Sequence, residues 1–259
     1  MFKKIFWLLL LVVFIGCGCV SNDNKNDLYA SIVKKDKIVV GISFDSKPFA
    51  FKDANGELKG IEVDLAKEIA NRMLGSRNKV MFKNVTPQDR MKAVMSGNVD
   101  MVISTMTITP QRNKYINFSN PYFVAGQVIC VRKDSKIKTV DDLINKKVIV
   151  ILGTTGEQNI RRFAPNALIL GYVNNSEAID AFKKGLADAI TTDDSLLQGL
   201  AMDNSDYIIL PERLTREPYG IAFNKSKTAN SFKNNINKII NEIGLDGTLE
   251  TIKEKWGVY

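Results

Sequence analysis

S-T-M-T-I-T-P-Q-R-N-K-Y-I-N-F-S-N-P-Y-F, residues 104–123, is the stretch that decides the organisation of this 259-residue chain. It begins where residues 100–104 predict a strand, and it runs into a segment with proline and glycine at 121–126. Strands and helices alternate before this stretch, and the alternation restarts after it. The stretch therefore leads to a boundary between two α/β units.

The residues before this stretch predict a strand–helix–strand–helix–strand order. The β-branched run Ile38–Ile42 predicts a buried strand, and apolar residues at helical spacing predict a helix over Ile61–Leu74. A second strand follows at 80–82, and a helix at about 87–95 has Pro near its start, where Pro is tolerated. Such alternation is typical of a mainly parallel sheet covered by helices.

The residues after the stretch predict a second unit of the same kind. Strands are expected at 128–131, 147–152, 168–172, 187–191, 207–210 and 219–223, and helices at 157–163, 176–184 and 194–202. A second boundary lies near 215–218, and two further helices end at Trp256. If the chain crosses between units at both boundaries, lobe 1 comprises 36–122 and 217–259, and lobe 2 comprises 123–216. The cleft between two such lobes closes by a hinge.

The N-terminus predicts export. Lys3 and Lys4 precede a wholly apolar run at 5–15, which is too short to span a bilayer and is typical of a signal peptide at 1–16. Gly16-Cys17-Gly18-Cys19 resembles the bacterial lipobox, in which a cysteine is lipidated. Cys17 fits better than Cys19; plain cleavage and an uncleaved anchor are the alternatives. Polar residues at 17–35 then predict a tether, which gives an extracytoplasmic, membrane-anchored protein.

Composition excludes several classes of function. The chain has no histidine, the commonest metal ligand and general base, so neither a metal, a cofactor nor a catalytic residue is predicted. The formal net charge of +8 is spread along the chain, which does not favour nucleic-acid binding. Cys130, in V-I-C-V, is predicted to be a small buried apolar residue.

Four motifs resemble the polar amino-acid binding proteins of ABC transporters, the family 3 solute-binding proteins. They are G-I-E-V-D-L-A at 60–66, the stretch at 104–123, L-G-T-T-G-E at 152–157 and D-A-I-T-T-D-D-S at 188–195. The resemblance implies a two-lobed, type II periplasmic-binding-protein-like fold that acts as a monomer. It also implies a free amino acid as the ligand and a permease and an ATPase as partners.

The resemblance implies two residues for the amino-acid head. Arg112 matches the arginine that holds the α-carboxylate, for which a guanidinium offers two parallel hydrogen bonds. Asp193 matches the carboxylate that receives the α-ammonium, and its neighbour Asp194 is the alternative. Burying either ligand charge without a partner costs several kcal/mol, so the site must supply both a cation and an anion.

Four threonines are implied around the same head. Thr105 and Thr107 would offer a carbonyl and a hydroxyl near the ammonium. Thr154 and Thr155 precede a predicted helix, whose first N–H groups favour an anion. The alternative for these threonines is a structural role, in a turn or as the N-cap of a helix.

The ligand tail depends on less specific residues. Arg90 stands where members that bind acidic amino acids often have an arginine, which favours glutamate, followed by glutamine or aspartate. Ser43 is neutral, Phe44 is a candidate for covering the ligand, and Asp45 offers a carboxylate that a basic ligand such as arginine would need. A dehydratase of the same fold and an extracytoplasmic sensing module are the remaining alternatives.

Overall fold

Two five-stranded sheets organise the computed structural model, which describes residues 27–203 and 206–258. The helices are α1 Leu28–Lys35, α2 Ile61–Leu74, α3 Arg90–Met95, α4 Thr155–Phe163, α5 Asn175–Lys183, α6 Asp194–Asp203, α7 Asn230–Leu245 and α8 Thr248–Lys255. The strands are β1 Ile38–Ile42, β2 Asp45–Ser46, β3 Ala50–Lys52, β4 Leu58–Lys59, β5 Val80–Asn84, β6 Met101–Val102, β7 Ile116–Phe118, β8 Phe123–Ala125, β9 Gln127–Arg132, β10 Lys147–Ile151, β11 Leu168–Tyr172, β12 Ala189–Asp193, β13 Tyr207–Ile209, β14 Glu217–Tyr219 and β15 Ala222–Asn224.

The two large sheets share one pattern of strand directions. The first has the order β5-β1-β6-β15-β7, and β15 runs antiparallel to both of its neighbours. The second has the order β11-β10-β12-β9-β13, and β9 runs antiparallel to both of its neighbours. Four of the five strands in each sheet therefore point the same way, and the prediction of two mainly parallel, helix-flanked sheets is confirmed, with one antiparallel strand in each.

A short antiparallel ribbon lies between the sheets. Strand β8 pairs with β14, with Phe123 opposite Tyr219 and Ala125 opposite Glu217. Each ribbon strand leads directly into the antiparallel strand of one sheet, β8 into β9 and β14 into β15. With lobe 1 and lobe 2 given the limits predicted from the sequence, the ribbon contains both crossings between them.

The single strand predicted at 219–223 is wrong, because these residues belong to two different sheets. Tyr219 pairs with Phe123 in the ribbon, whereas Ala222 pairs with strands of the first sheet. Gly220 makes the change between them, and a Cβ atom there would stand 2.8 Å from the side chain of Ile108. The chain thus passes a point too narrow for a side chain between β14 and β15.

The predicted tether is also wrong over its last residues. Residues 28–35 form α1, whose N-cap Asp27 accepts a hydrogen bond from the amide of Ala30 at 2.9 Å. Ile32 is fully buried in the core that also contains Phe232 and Ile236 of α7. One well-placed apolar residue and a cap are enough to hold this polar segment on lobe 1.

The core of lobe 1 joins the N-terminal and C-terminal thirds of the chain. Leu65 and Ile69 of α2 pack in one cluster with Ile240 and Ile243 of α7 and with Ile252 of α8. This packing brings residues after 217 back to the first lobe. Lobe 2 has its own apolar clusters on the two faces of the second sheet.

Three further predictions concern single segments. Helix α3 begins at Arg90, because residues 87–89 form a turn in which the Asp89 carboxylate accepts from the amide of Thr86 at 2.7 Å. Cys130 is fully buried, as predicted, and burial raises the pKa of its thiol to about 12. The signal peptide and Cys17 lie outside the described residues. Within the described ranges, no helix is long and apolar enough to cross a membrane.

Candidate ligand-binding site

A small cavity of about 20 Å³ lies between the two lobes. Its wall is formed by residues of both lobes, namely Pro87, Arg90, Thr105 and Thr107 from lobe 1 and Ile151, Thr154, Thr155, Gly156, Asn175, Thr192, Asp193 and Leu196 from lobe 2. The lobes also touch directly, since the hydroxyl oxygens of Thr107 and Thr155 are 3.3 Å apart and Asn175 donates to Ser46 at 3.0 Å. The structure is therefore in a closed arrangement.

Arg112 lies beside this cavity and links the lobes. Its Nη1 donates to the carbonyl of Thr107 at 2.8 Å, and its Nη2 reaches the carbonyl of Gly153 at 3.4 Å. Burial and, to a smaller extent, the charge of Arg90 lower the pKa of its guanidinium to about 9, while Glu217 and Asp193 oppose the shift. A buried cation next to a second cation is electrostatically suited to hold a carboxylate.

Asp193 is the anion in the cavity wall. It ends strand β12, and its Oδ2 accepts a hydrogen bond from the hydroxyl of Tyr219. Burial raises the pKa of its carboxyl to about 7. Asp194 has a different environment, because its carboxylate accepts from Arg213 and from the amide of Gly126. Asp193 is thus available to a ligand ammonium, and Asp194 is a structural residue at the crossing.

The four predicted threonines all line the cavity, but their side chains differ in role. Thr154 caps α4: its Oγ1 accepts from the amide of Glu157 at 3.1 Å and donates to the carbonyl of Ile151 at 2.7 Å. Thr155 is the first residue of α4, and its hydroxyl donates to Glu217 at 2.9 Å. Thr154 is therefore the N-cap of α4, while the hydroxyl of Thr155 connects the start of this helix to the ribbon.

Arg90 is brought into the cavity wall at the start of α3, where it is 2% exposed. Its Nη1 donates to the carbonyls of Ser104 and Thr105, the latter at 3.4 Å. Burial lowers the pKa of its guanidinium, and the nearest opposing influence is the carboxylate of Glu62. Arg90 thus places a buried cation in the cavity wall.

Ser43, Phe44 and Asp45 are not part of this cavity wall. The hydroxyl of Ser43 donates to Asp45 at 2.6 Å, and the other carboxylate oxygen of Asp45 accepts from the amide of Ser176 at 3.2 Å. Phe44 and Asp45 line a separate groove at the lobe junction, where Lys52 lies over the Phe44 ring. The carboxylate that a basic ligand would need is therefore occupied elsewhere.

Two buried acids near the cavity were missed from the sequence. Glu62 is in phase with the apolar stripe of α2, at positions 62, 65, 66 and 69, and it is fully buried. A charged residue at an apolar position of a helix is visible in the sequence and indicates a buried charge. Glu217 follows a loop and gave no such signal.

Glu217 is the centre of a polar network at the ribbon. Its carboxylate accepts from Thr155 at 2.9 Å, from Thr215 at 2.7 Å and from Asn159 at 3.3 Å. Asn159 also donates to Gln127 at 3.1 Å. The network ties β14 to the first turns of α4.

The arrangement is suited to bind a zwitterion. It offers a buried anion in the cavity wall for an ammonium and a buried cation beside the cavity for a carboxylate. Among residues 27–203 and 206–258, no group of three or more His, Cys, Asp or Glu could hold a metal ion.

Comparison with known proteins agrees with this geometry. Residues 38–259 match the bacterial extracellular solute-binding proteins, family 3. The ABC transporter glutamine-binding protein GlnH of Bacillus subtilis (strain 168) is 40% identical over 267 residues, which cover 98% of this chain and 97% of that protein. The resemblance based on the four motifs is confirmed.

Two solved structures share the fold. An ancestral arginine-binding protein bound to glutamine is 40% identical with a TM-score of 0.79, covering 85% of this chain and 97% of that one. The ancestral amino acid-binding protein AncCDT-1, a precursor of cyclohexadienyl dehydratase, is 39% identical with a TM-score of 0.82, covering 88% and 98%. The chain thus has the two-lobed architecture of these amino-acid binding proteins.

Proposed function

This chain belongs to the bacterial extracellular solute-binding proteins, family 3, and from that premise we propose that it captures a free polar L-amino acid for an ABC transporter. The ligand is held between the lobes as they close. The permease and the ATPase of the transporter then receive it from the closed protein.

The observation that carries this proposal is a pair of opposite buried charges at one cavity, with Asp193 in its wall and Arg112 beside it. Arg112 approaches from lobe 1 and Asp193 from lobe 2, at a spacing where their charges influence each other. An α-amino acid presents a carboxylate to the first and an ammonium to the second. Each ligand charge then compensates a buried charge of the protein, which is why capture requires both lobes.

The tail of the ligand is proposed to be the amide of glutamine. Arg90 lines the cavity, and the carboxylate of Glu62 behind the wall is the largest influence that favours its charge, so this region already holds one charge of each sign. A neutral tail fits such a wall better than a charged one. The name of the Bacillus subtilis relative and the glutamine-bound ancestral structure support the same ligand.

Glutamate, which the sequence favours, is the second candidate. The observation in its favour is Arg90 itself, a buried cation whose Nε has no hydrogen-bond partner among the described residues. A basic ligand such as arginine has less support, because Arg90 and Arg112 both stand at the cavity and Asp45 does not line it.

Calorimetry of the ligand-stripped protein with all twenty L-amino acids tests the proposal. We expect glutamine to bind most tightly, and 4-carbamoylbutanoate, which lacks the α-ammonium, to bind far more weakly. Tighter binding of glutamate than glutamine would favour the second candidate. The absence of heat with every amino acid would refute amino-acid capture altogether.

Membrane anchoring through a lipid on Cys17 is also part of the proposal. It is supported by the basic start, the apolar run at 5–15 and the Gly16-Cys17 pair. Mass spectrometry of the protein extracted from bacterial membranes should find an N-terminal acylated Cys17, which Cys17→Ser removes and Cys19→Ser leaves in place. An unmodified Cys17 after signal removal would contradict the anchor.

A further inference from the structure

Glu62 is a fully buried carboxylate behind the cavity wall. Its Oε1 accepts hydrogen bonds from the amide of Thr105 and from the hydroxyl of Tyr122, both at 2.5 Å. Its Oε2 has no hydrogen-bond partner among residues 27–203 and 206–258. Burial raises the pKa of this carboxyl to about 7, and the two hydrogen bonds and the charge of Arg90 oppose the shift.

Arg90 is the nearby buried cation, and it too is incompletely paired. Its Nη1 donates to two backbone carbonyls, while its Nε lacks a partner within the described part of the chain. The charge of Glu62 is the largest of the influences that hold Arg90 in its protonated form. Glu62 and Arg90 are therefore buried counter-ions that act at a distance, because no hydrogen bond or salt bridge joins the two side chains directly.

Both groups are attached to the backbone of one residue of the cavity wall. Thr105 has a φ of 40°, in the left-handed region that β-branched residues rarely adopt. Glu62 accepts from its amide, and Arg90 donates to its carbonyl. The strained Thr105 is thus held on both sides by the charge pair, which places the pair directly behind the surface that a ligand touches.

We infer that Glu62 determines which ligand tail the cleft accepts: as the counter-ion of Arg90, it disfavours a tail carboxylate and favours a tail amide. This inference rests on the proposed function and deepens it. Glu62 does not contact the ligand in this scheme, so it is a specificity-determining residue that acts through Arg90.

The physical reason is electrostatic. A glutamate tail at Arg90 would put two carboxylates around one guanidinium in a site from which water is excluded, and like charges at close range repel strongly there. A glutamine tail adds no charge, so its carbonyl oxygen accepts from Arg90 without repulsion. If residue 62 is neutral, Arg90 lacks its counter-ion, and the glutamate tail supplies one.

The test is the ratio of the glutamine and glutamate dissociation constants in wild type and in Glu62→Gln, measured by calorimetry at pH 8. We expect the variant to shift this ratio toward glutamate by about tenfold or more, because one nearby charge shifts a buried ionisation by about one to three pKa units. The glutamine side chain keeps an acceptor for Thr105 and Tyr122, so folding is preserved.

Two matched variants separate charge from structure. Glu68→Gln removes the same charge from the same helix, where Glu68 pairs with Arg72 and Arg77 away from the cavity. Glu62→Asp keeps the charge and shortens the side chain by one methylene. Both should bind glutamine and glutamate in the wild-type ratio.

The possible results are distinguishable. A wild-type protein that binds amino acids but prefers glutamate, or a Glu62→Gln variant in which both ligands weaken equally, would overturn the inference and leave amino-acid capture intact. A Glu62→Asp variant with the same shift as Glu62→Gln would overturn it as well, because the charge is then still present and only the position of the carboxylate has changed. A wild-type protein that binds no amino acid would remove both proposals.

Discussion

The two walls of the cleft differ in charge although their lobes share one sheet pattern. Lobe 1 supplies Arg90 and Arg112, with Glu62 behind the first of them. Lobe 2 supplies Asp193 and the start of α4, where Thr155 begins the helix. Each wall thus has one buried charge that lacks a full counter-ion within its own lobe: Arg112 on one side and Asp193 on the other.

This difference explains why the site is divided between lobes. A lobe that carried both Arg112 and Asp193 on one face could pair them with each other, and a ligand would have to break that pair. With the two charges on different lobes, the zwitterionic ligand that we propose compensates both when the cleft closes. Hinge closure and charge compensation are then one event.

Loss of the lobe 1 cation should have the largest effect. Arg112→Ala leaves the α-carboxylate buried and unpaired, which costs about 3–5 kcal/mol, or about a hundredfold to a thousandfold and more in Kd. Calorimetry with glutamine measures the loss, and Arg112→Lys should recover part of it because the charge returns without the two-pronged geometry. The control Lys114→Ala changes an exposed cation in the same turn, and it should bind like wild type.

Loss of the lobe 2 anion should come next. Asp193→Asn is expected to weaken glutamine binding by about a hundredfold, since truncating one partner of a buried charge pair costs about 2–5 kcal/mol. Asp194→Asn is the matched control, because Asp194 pairs with the half-exposed Arg213 and such pairs contribute about 0–1 kcal/mol. If Asp194→Asn weakened binding more than Asp193→Asn, the assignment of the ammonium site would be wrong.

The sheets and most helices could be predicted because buried positions recur at regular spacing, which is visible as a pattern of apolar residues in the sequence. Helix Ile61–Leu74 and strands Ile38–Ile42 and Leu168–Tyr172 have the bounds expected from their apolar spacing. Elements whose boundaries depend on tertiary contacts were misjudged. Helix α1 depends on Ile32 reaching a core built from residues about 200 positions away, and no local pattern carries that information.

The candidate site was likewise predicted in part: some of its residues follow from the sequence and others do not. Motifs indicated Arg112, Asp193 and the four threonines, and the structure brings Asp193 and the threonines to one cavity with Arg112 beside it. The pairing of Glu62 with Arg90 could not be predicted, because the two residues meet only through the backbone of Thr105. Asp45 was a candidate carboxylate in the sequence, whereas in the fold it is bonded to Ser43 and Ser176.

Substitution of Gly153 should distinguish an effect on closure of the cleft from an effect on the stability of the fold. Gly153 has a φ of 78°, and a Cβ atom there would stand 3.0 Å from Gln88 and from the carbonyl of Pro87, across the cleft. Gly153→Ala should therefore weaken glutamine binding by about tenfold to a hundredfold, because relieving such a contact costs about 1–3 kcal/mol in the closed state.

Gly97 provides the matched control for this prediction. It has a φ of 75° with nothing within 4 Å of the position of a Cβ atom. Gly97→Ala should lower the melting temperature about as much as Gly153→Ala does, since both incur the left-handed strain of about 1–2 kcal/mol, yet it should bind glutamine like wild type. Equal binding by the two variants would mean that closure leaves room at Gly153.

The pH dependence of binding should be the smallest effect. Burial raises the pKa of Asp193 to about 7; the hydroxyl of Tyr219 opposes the shift, Glu217 and Asp194 add to it, and Arg90 opposes it. A raised pKa means that the carboxyl is protonated below pH 7, whereas the ligand ammonium requires the ionised form. Binding must then expel a proton, so the Kd for glutamine should rise by up to about tenfold between pH 8 and pH 6.

Asp193→Asn tests the cause of this pH dependence, because asparagine does not titrate. The variant should bind weakly with a nearly constant Kd from pH 8 to pH 6, whereas Asp194→Asn should keep the wild-type slope. Proton release on binding, measured by calorimetry in two buffers of different ionisation enthalpy, should disappear in the same variant. A slope that persists in Asp193→Asn would assign the titrating group to lobe 1 instead, where Glu62 also has a pKa of about 7.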